Sequence, residues 1–596
     1  MVTDYSAWQS LPGMFFEQAG KLAGKNFLWA KRDGAYQPMT WGQAEQAVKD
    51  LSRGLRALGL ERGERVVLLA ENRPEWLIAD VAIMAAGGIT VPAYTTNTTA
   101  DHMHILSDSG ARGAIVSTRA LAKRLIPAAI DAPDCDWVVT IEDLEPAQRG
   151  PVDIQTWAQT LEKGAALPDD VSGLVGGLKR EDTACFIYTS GTGGTPKGVM
   201  LSHGAILCNC MGAYHLLETL GLGNDVFLSF LPLSHAYEHT AGQFFPISLG
   251  AEIYYSAGVE QLLTNLAEAR PTIMTAVPRL YESMYQRIRR GVAKQGGLKE
   301  KLFETALRLG RKRYFDPHSL GLGERLLDAL VERLVRSKVR ARFGGRLKAM
   351  VSGGAALNPD IGIFFTALGL RALQGYGQTE SAPVVSFNPP DKAKMHTVGL
   401  PLRGVEVRIA EDGEILVRGE LVMKGYWRNP EATREAIRDG WLHTGDIGQL
   451  DEEGYLQITD RKKDIIVLSG GDNVSPARIE GYLTLEAEVQ QAMVFGDKRP
   501  HLVAILVPDE DFLKAYAREH GKALDMAELS RDPELRSVMS GVVERVNQEL
   551  SPLEKVRRFV LAREPFTVKN EMMTPTLKIR RHTIKAAYGE ELEGLY

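Results

Sequence analysis

Ten residues carry the densest chemistry in the chain: Thr189-Ser-Gly-Thr-Gly-Gly-Thr-Pro-Lys-Gly198, directly after the apolar run Cys185-Phe-Ile-Tyr. Hydroxyls, glycines and one lysine suit a loop that wraps phosphate groups. Glycines let backbone N–H groups approach anionic oxygens, and the lysine adds a positive charge. A Walker-type loop would end Gly-Lys-Ser/Thr and run straight into a helix. Here Lys197 follows Pro196 and precedes Gly198, so that pattern is absent. A plain glycine-rich turn is the competing reading, and so many hydroxyls beside a lysine argue against it.

Further segments place isolated polar groups beside glycine turns or cations. Gln374-Gly-Tyr-Gly-Gln-Thr-Glu380 sets one carboxylate after a Gly-Tyr-Gly turn, and Gly353-Gly-Ala-Ala-Leu-Asn-Pro359 follows an apolar run. Trp441-Leu-His-Thr-Gly-Asp446 and Asp460-Arg-Lys-Lys-Asp-Ile come next, and Lys578 lies in Thr574-Pro-Thr-Leu-Lys-Ile-Arg-Arg581. Taken alone, Glu380 reads equally well as a solvated turn acid and Lys578 as an exposed lysine of a basic tail. In this order, from Trp41 to Arg581, the segments resemble the adenylate-forming superfamily of acyl-CoA synthetases, adenylation domains and luciferases. One departure is Gly193, where the family's loop usually carries threonine.

The resemblance implies ATP, Mg²⁺ and CoA as the small molecules handled. It assigns Thr189, Ser190, Gly191, Thr192, Gly193, Gly194, Thr195 and Lys197 to the phosphates. Gly354, Ala355, Gln374, Gly375, Tyr376 and Gly377 would line the adenine pocket, Thr379 would contact the α-phosphate, and Glu380 with Thr189 would hold Mg²⁺. Asp446 and Arg461 would meet the ribose, Asp460 would be the hinge, and Lys578 the mobile catalytic lysine. Gly470 and Gly471, in Ser469-Gly-Gly-Asp-Asn, would line a pantetheine tunnel.

Leu231-Pro-Leu-Ser-His-Ala-Tyr-Glu238, the Thr-Pro-Thr-Leu-Lys ending and a long basic insertion before Gly344-Gly345 look like the long-chain fatty acid branch. His235 would then border the acyl or pantetheine channel, although a histidine after a strand is often a structural residue. The implied reaction joins a long-chain fatty acid to AMP, releases pyrophosphate and passes the acyl group to CoA. Two rivals keep the first step: a fatty acyl-AMP ligase serving a carrier protein, and a CoA ligase for shorter or aromatic acids. A non-catalytic lipid- or nucleotide-binding protein is disfavoured by the intact set Lys197, Glu380, Asp446, Arg461 and Lys578.

Positioning these groups needs a large scaffold, and 596 residues exceed what one hydrophobic core organises. From about Trp41, apolar runs such as Val66-Val-Leu-Leu-Ala, Ala114-Ile-Val-Ser, Val138-Val-Thr-Ile, Val226-Phe-Leu-Ser-Phe and Ile273-Met-Thr-Ala-Val alternate with helical patterns. That predicts an α/β fold with largely parallel sheets. Between Gly404 and Asp460 short strands with glycine turns predict a small antiparallel unit. A separate α+β tail follows, with a hairpin across Asp497 to Pro500 and a helix burying Leu535, Val538, Met539, Val542, Val543 and Val546. The expected domains are 1–460, binding nucleotide and acid, and 461–596, which the resemblance makes mobile and which carries Lys578.

The net charge of −5 predicts no whole-surface attraction to nucleic acid, but it hides a contrast. Residues 279–346 hold 18 basic against 7 acidic side chains, a local +11 that leaves −16 elsewhere. One reading is a helical hairpin with basic polar faces and an apolar packing stripe from Leu322 to Val339. The other is contact with an anionic membrane or cofactor phosphates, with Arg287, Arg289, Arg290, Arg311 and Arg313 as the cations to test. Four cysteines are too few for a disulfide scaffold and suit a reducing, cytoplasmic setting. Cys208 and Cys210 beside His203 lack zinc spacing and read as helix packing. The N-terminus lacks a basic-then-apolar block, and Val81 to Ala100 reads as a buried helix followed by a strand.

Overall fold

The computed structural model describes residues 5–145, 152–189, 195–256, 258, 261–574 and 578–596. Two large sheets dominate. One has nine strands in the order Leu400–Pro401, Ser386–Phe387, Ala372–Tyr376, Ala349–Ser352, Ile273–Ala276, Val226–Ser229, Glu252–Tyr255, Asn26–Arg32 and Ala35–Thr40. Its central strands pair in parallel, and antiparallel pairs close both edges. The other has eight strands, with Arg65–Leu69 at its centre between Ile89–Pro92 and Ala111–Val116, all parallel. The buried apolar runs predicted as strands therefore lie in these two sheets. They are apolar on both faces because helices cover both faces of a parallel sheet.

The predicted antiparallel unit is a five-stranded sheet built on Glu414–Arg418 and the long strand Trp441–Leu450. Its last strand, Leu456–Arg461, carries Asp460 and Arg461. Beyond it, Val489–Phe495 and Leu502–Pro508 form the expected hairpin, and Val556–Leu561 adds in parallel to make three strands. The helix Pro533–Gln548 packs there through Leu535, Met539, Val542, Val543 and Val546. Val538 is exposed, correcting its assignment to the apolar face. It lies off the strip facing the sheet, since a helix has only a limited arc to bury.

Helix His203–Leu217 buries Cys208 and Cys210, and all four cysteines are buried free thiols. Burial pushes the Cys208 thiol up to about 11, so it stays protonated at neutral pH. The basic segment forms helices Pro278–Gln295, Gly297–Phe315 and Leu322–Val331, the last running through a π-helical turn, Glu332–Arg336, into Ser337–Arg342. The expected packing stripe there is present but narrower: Leu327, Val331, Val335 and Val339 pack inward, while Leu322, Leu326, Leu330 and Leu334 point to solvent. Arg336 joins the buried side. Among the described residues no helix is long and apolar enough to cross a membrane.

Candidate active site

A cleft of about 2100 Å³ opens beyond the carboxyl ends of the parallel strands, walled on its far side by the C-terminal residues. Ligand sites of open α/β sheets concentrate in that position. Thr189 ends its strand at the cleft, where it pairs in register with Lys197 across the loop between them. Ser190, Gly191, Thr192, Gly193 and Gly194 lie outside the described residues. Lys197 is exposed, its ammonium 5.1 Å from the ring centre of Tyr426.

The Gly-Tyr-Gly segment ends the strand Ala372–Tyr376 and turns sharply. A Cβ on Gly377 would come within 1.8 Å of the Pro383 carbonyl oxygen, so only glycine lets the chain fold back there. The short turn Thr379–Ser381 that follows is pinned from below. The Asn209 amide donates to the Ser381 carbonyl at 3.2 Å, and the Thr240 hydroxyl to that of Ala382 at 3.1 Å. Thr379 and Glu380 consequently face the cleft, as do Gln374, Gly375, Tyr376, Gly377, Gly354 and Ala355. A Cβ on Gly353 would press on the Tyr237 ring at 3.0 Å, so any larger residue there needs that ring to shift.

Tyr376 donates its hydroxyl to Asp446 Oδ2 at 2.6 Å, while Arg461 Nε donates to Asp446 Oδ1 at 3.0 Å. The arginine arrives there by strand register, since Asp446 and Arg461 are direct partners in the antiparallel ladder. Burial, reinforced by the Asp446 carboxylate, holds the Tyr376 hydroxyl well above its ordinary pKa, so it remains a donor. Asp446 thus stands at the cleft as a carboxylate braced on both oxygens. Asp460, one residue before Arg461 in the neighbouring strand, accepts from the Arg461 amide at 2.6 Å; burial raises its pKa.

Two family models match: AMP-binding enzyme over residues 15–427 and AMP-binding enzyme C-terminal domain over residues 463–596. The chain belongs to the AMP-binding enzymes. Its relatives include the long-chain-fatty-acid–CoA ligase FadD15 of Mycobacterium tuberculosis, 34% identical over 574 residues, 95% of this chain and 93% of the relative. Another is long chain acyl-CoA synthetase 6, peroxisomal, of Arabidopsis thaliana, 34% identical over 591 residues, 94% and 82% of the two chains. Among solved structures, the A-PCP didomain of carboxylic acid reductase from Segniliparus rugosus in complex with AMP aligns with a TM-score of 0.78 and 20% identity. It covers 99% of this chain and 83% of that one. At that identity the likeness establishes the adenylate-forming fold.

In this AMP-binding enzyme the C-terminal residues bring Lys578 to the cleft, within electrostatic reach of Arg461, Asp446 and Glu380. Lys578 is reached by water yet surrounded by protein. Desolvation and the Arg461 guanidinium lower its pKa, and the two carboxylates oppose them. His235 shares the wall; burial, with Lys578 second, brings its pKa down to about 4, so the ring is neutral above that pH. Its Nδ1 accepts from the Tyr237 amide at 3.2 Å. Gly470 and Gly471 lie on an exposed turn that forms no part of this cleft, and Thr195 is exposed.

Sequence reasoning missed several supporting groups. Tyr426 donates to Glu380 Oε1 at 2.8 Å, and 46 residues separate the two. Arg581 forks onto Glu480 with both contacts at 2.7 Å, anchoring the chain just after Lys578. Helix Pro278–Gln295 docks the C-terminal residues through Arg290, at 2.8 Å from Asp509 and 2.9 Å from Asp511. A charge count could not have found these, because each pair joins segments distant in sequence.

Among the described residues no three His, Cys, Asp or Glu side chains form a group that could hold a metal ion. A lone carboxylate such as Glu380 nevertheless fits Mg²⁺, which keeps several waters and takes one or two carboxylates beside substrate phosphates.

Proposed function

We propose that this chain is an AMP-forming ligase that activates a long-chain fatty acid with ATP and transfers the acyl group to CoA. The observation that carries the reading is the meeting of Lys578, from the C-terminal residues, with Glu380, Asp446 and Arg461 in one cleft. Its relatives' names, over nearly the whole chain, point to the same substrates.

A carboxylate is a poor acyl donor until its oxygen is joined to phosphorus. The attacking carboxylate and the α-phosphate are both anions, so the site must offset charge and align them. Lys578 supplies positive charge at the reacting oxygens, Thr379 a hydroxyl to the α-phosphate, and the 189–197 loop with Lys197 donors to the departing pyrophosphate. Asp446, braced by Tyr376 and Arg461, accepts from the ribose hydroxyls, while Gly354, Ala355 and the Gln374–Gly377 segment flank the base. Glu380 would hold Mg²⁺, which supplies charge neutralisation on the phosphates when bound. The acyl-adenylate then meets the CoA thiol, whose attack needs little acid–base help. Asp460 is the pivot about which residues 461–596 turn after the first step, withdrawing Lys578 and bringing Gly470 and Gly471 to the thiol's path. His235 borders the acyl end of the cleft.

Contact with a membrane through residues 279–346 belongs to the same reading. Four of the five arginines first suspected are engaged elsewhere: Arg289 with Glu304, Arg290 with Asp509 and Asp511, Arg311 with Asp360, and Arg313 with Asp328.

Pyrophosphate release measured across acids from short to very long chain, with and without CoA, tests the proposal. Long-chain acids should be preferred and acyl-CoA should form only when CoA is present. Lys578→Ala should lower acid-dependent release by about 10²- to 10³-fold; unchanged release would overturn the assigned chemistry. Acyl-AMP accumulating in the presence of CoA would favour an acyl-AMP ligase.

A further inference from the structure

We propose that the helix beginning at Leu322 docks flat on an acidic lipid bilayer through an outward stripe of leucines interleaved with cations. The helical repeat sorts this stretch into faces. Glu324, Asp328 and Glu332 recur every fourth residue and are spent on the protein. Glu324 pairs with Lys312 at 2.6 Å and Arg308 at 3.3 Å, and Asp328 with Arg336 at 2.7 Å and Arg313 at 3.1 Å. Glu332 pairs with Arg340. Arg336 is fully buried and also donates to the Ala367 and Ala306 carbonyls at 2.7 and 3.0 Å, locking that face down.

The opposite face shows Leu322, Leu326, Leu330 and Leu334 to solvent at 83, 77, 48 and 38% of their full exposure. Leucines four apart on a helix are neighbours, so the four make one stripe about 18 Å long at about 1.5 Å per residue. Phe315, 69% exposed, stands at the turn that leads into it. A single exposed leucine is ordinary, but a contiguous row marks a surface built to be covered. Beside the row stand Arg325, Arg333 and Lys338, all exposed and, among the described residues, without an ion pair. Arg325 donates only to the Leu320 carbonyl, at 3.1 Å.

The charges select the occupant. Two copies meeting face to face through this row would set Arg325, Arg333 and Lys338 against their own like charges, since such an interface matches a patch with itself. An acidic bilayer instead accepts the leucines about 5–10 Å deep at the acyl boundary, while long basic side chains reach up to the headgroups. Within these helices Arg308, Lys312, Arg313 and Arg336 are held by Glu324 and Asp328, whereas Arg325, Arg333 and Lys338 flank the leucine row. The inference rests on the membrane contact named in that reading and narrows it to one helix; its vesicle readout is separate from pyrophosphate release, so the two can fail independently.

Cosedimentation of the full chain with vesicles of phosphatidylcholine, with and without about one third phosphatidylglycerol, tests it at about 0.1 M salt. The chain should partition onto the acidic vesicles and only weakly onto neutral ones. Combined Leu322→Ser, Leu326→Ser and Leu330→Ser should lower partitioning by about tenfold or more, with the thermal transition unchanged because these side chains are exposed. Arg325→Ala, Arg333→Ala and Lys338→Ala together should lower it by about a hundredfold and flatten its salt dependence. Arg311→Ala, which removes only a paired cation, should leave it within about twofold. Undiminished partitioning of the leucine variant would overturn the proposal. So would gel filtration in which the wild type is a dimer and the leucine variant a monomer, which would assign the row to a second copy.

Discussion

Glu238 offers a sharp test of how this interior is wired. Its carboxylate is fully buried, and its two oxygens accept from the hydroxyls of Ser229 at 2.7 Å and Thr275 at 2.6 Å. Burial pushes its pKa from 4.5 up to about 7, with those hydroxyl bonds only partly offsetting the cost of charging it. Between those two values the folded state binds more protons than the unfolded chain, so stability falls as pH rises through about 4.5 to 7. At about 1.4 kcal/mol per pH unit the whole window is worth about 3 kcal/mol. Glu238→Gln keeps the shape and stays neutral, and either hydroxyl can turn to accept from the new amide. The variant should therefore equal or slightly trail the wild type at pH 4.5, yet exceed it by about 2–3 kcal/mol at pH 8. Urea unfolding followed by tryptophan fluorescence at the two pH values measures this directly. A variant-to-wild-type difference independent of pH, or a variant less stable at pH 8, would refute a buried carboxylate held up by desolvation.

Tyr426→Phe removes the hydroxyl that orients Glu380 and should raise the Mg²⁺ concentration needed for half-maximal pyrophosphate release by about tenfold, a loss of about 1–2 kcal/mol; an unchanged Mg²⁺ titration would separate the two residues functionally. Arg581→Met leaves Glu480 without its bidentate partner and should cost the C-terminal residues about 2–3 kcal/mol, seen as an earlier urea transition. Adding Glu480→Gln should recover much of it. Arg290→Ala removes two half-exposed ion pairs across to Asp509 and Asp511 and should slow pyrophosphate release up to about fivefold at low salt. That difference should vanish in about 1 M salt, where such pairs are screened; persistence at high salt would mean that the docking rests on other contacts.

Fold class was legible because period and composition act locally. Runs apolar on both faces had to become the parallel strands that helices sandwich, and Val489–Phe495 and Leu502–Pro508 had to be joined by a turn. Helix Pro533–Gln548 was legible for the same reason, yet Val538 was misplaced, because spacing gives a face and only the packed sheet sets how wide an arc is covered. Spacing also put leucines four apart from Leu322 onward. Which row faced the core was decided by tertiary packing: Val331, Val335 and the buried Arg336, bonded to Ala367 and Ala306, take the inner face and leave the leucines outside.

The chemistry divides along the same line. Glycines, hydroxyls and single charges marked the motifs, and only their resemblance, in order, to those of one family singled out Thr189, Glu380, Asp446, Arg461 and Lys578 as candidates; alone, Glu380 and Lys578 read as a turn acid and a tail lysine. Their mutual placement was not in the motifs. Asp446 meets Arg461 because two strands align in register, Tyr426 reaches Glu380 across a sheet edge, and Lys578 enters the cleft because helix Pro278–Gln295 and the Arg581–Glu480 pair hold its carrier there. Such contacts join residues tens to hundreds of positions apart, and a local pattern holds no information about which distant group will balance a buried charge.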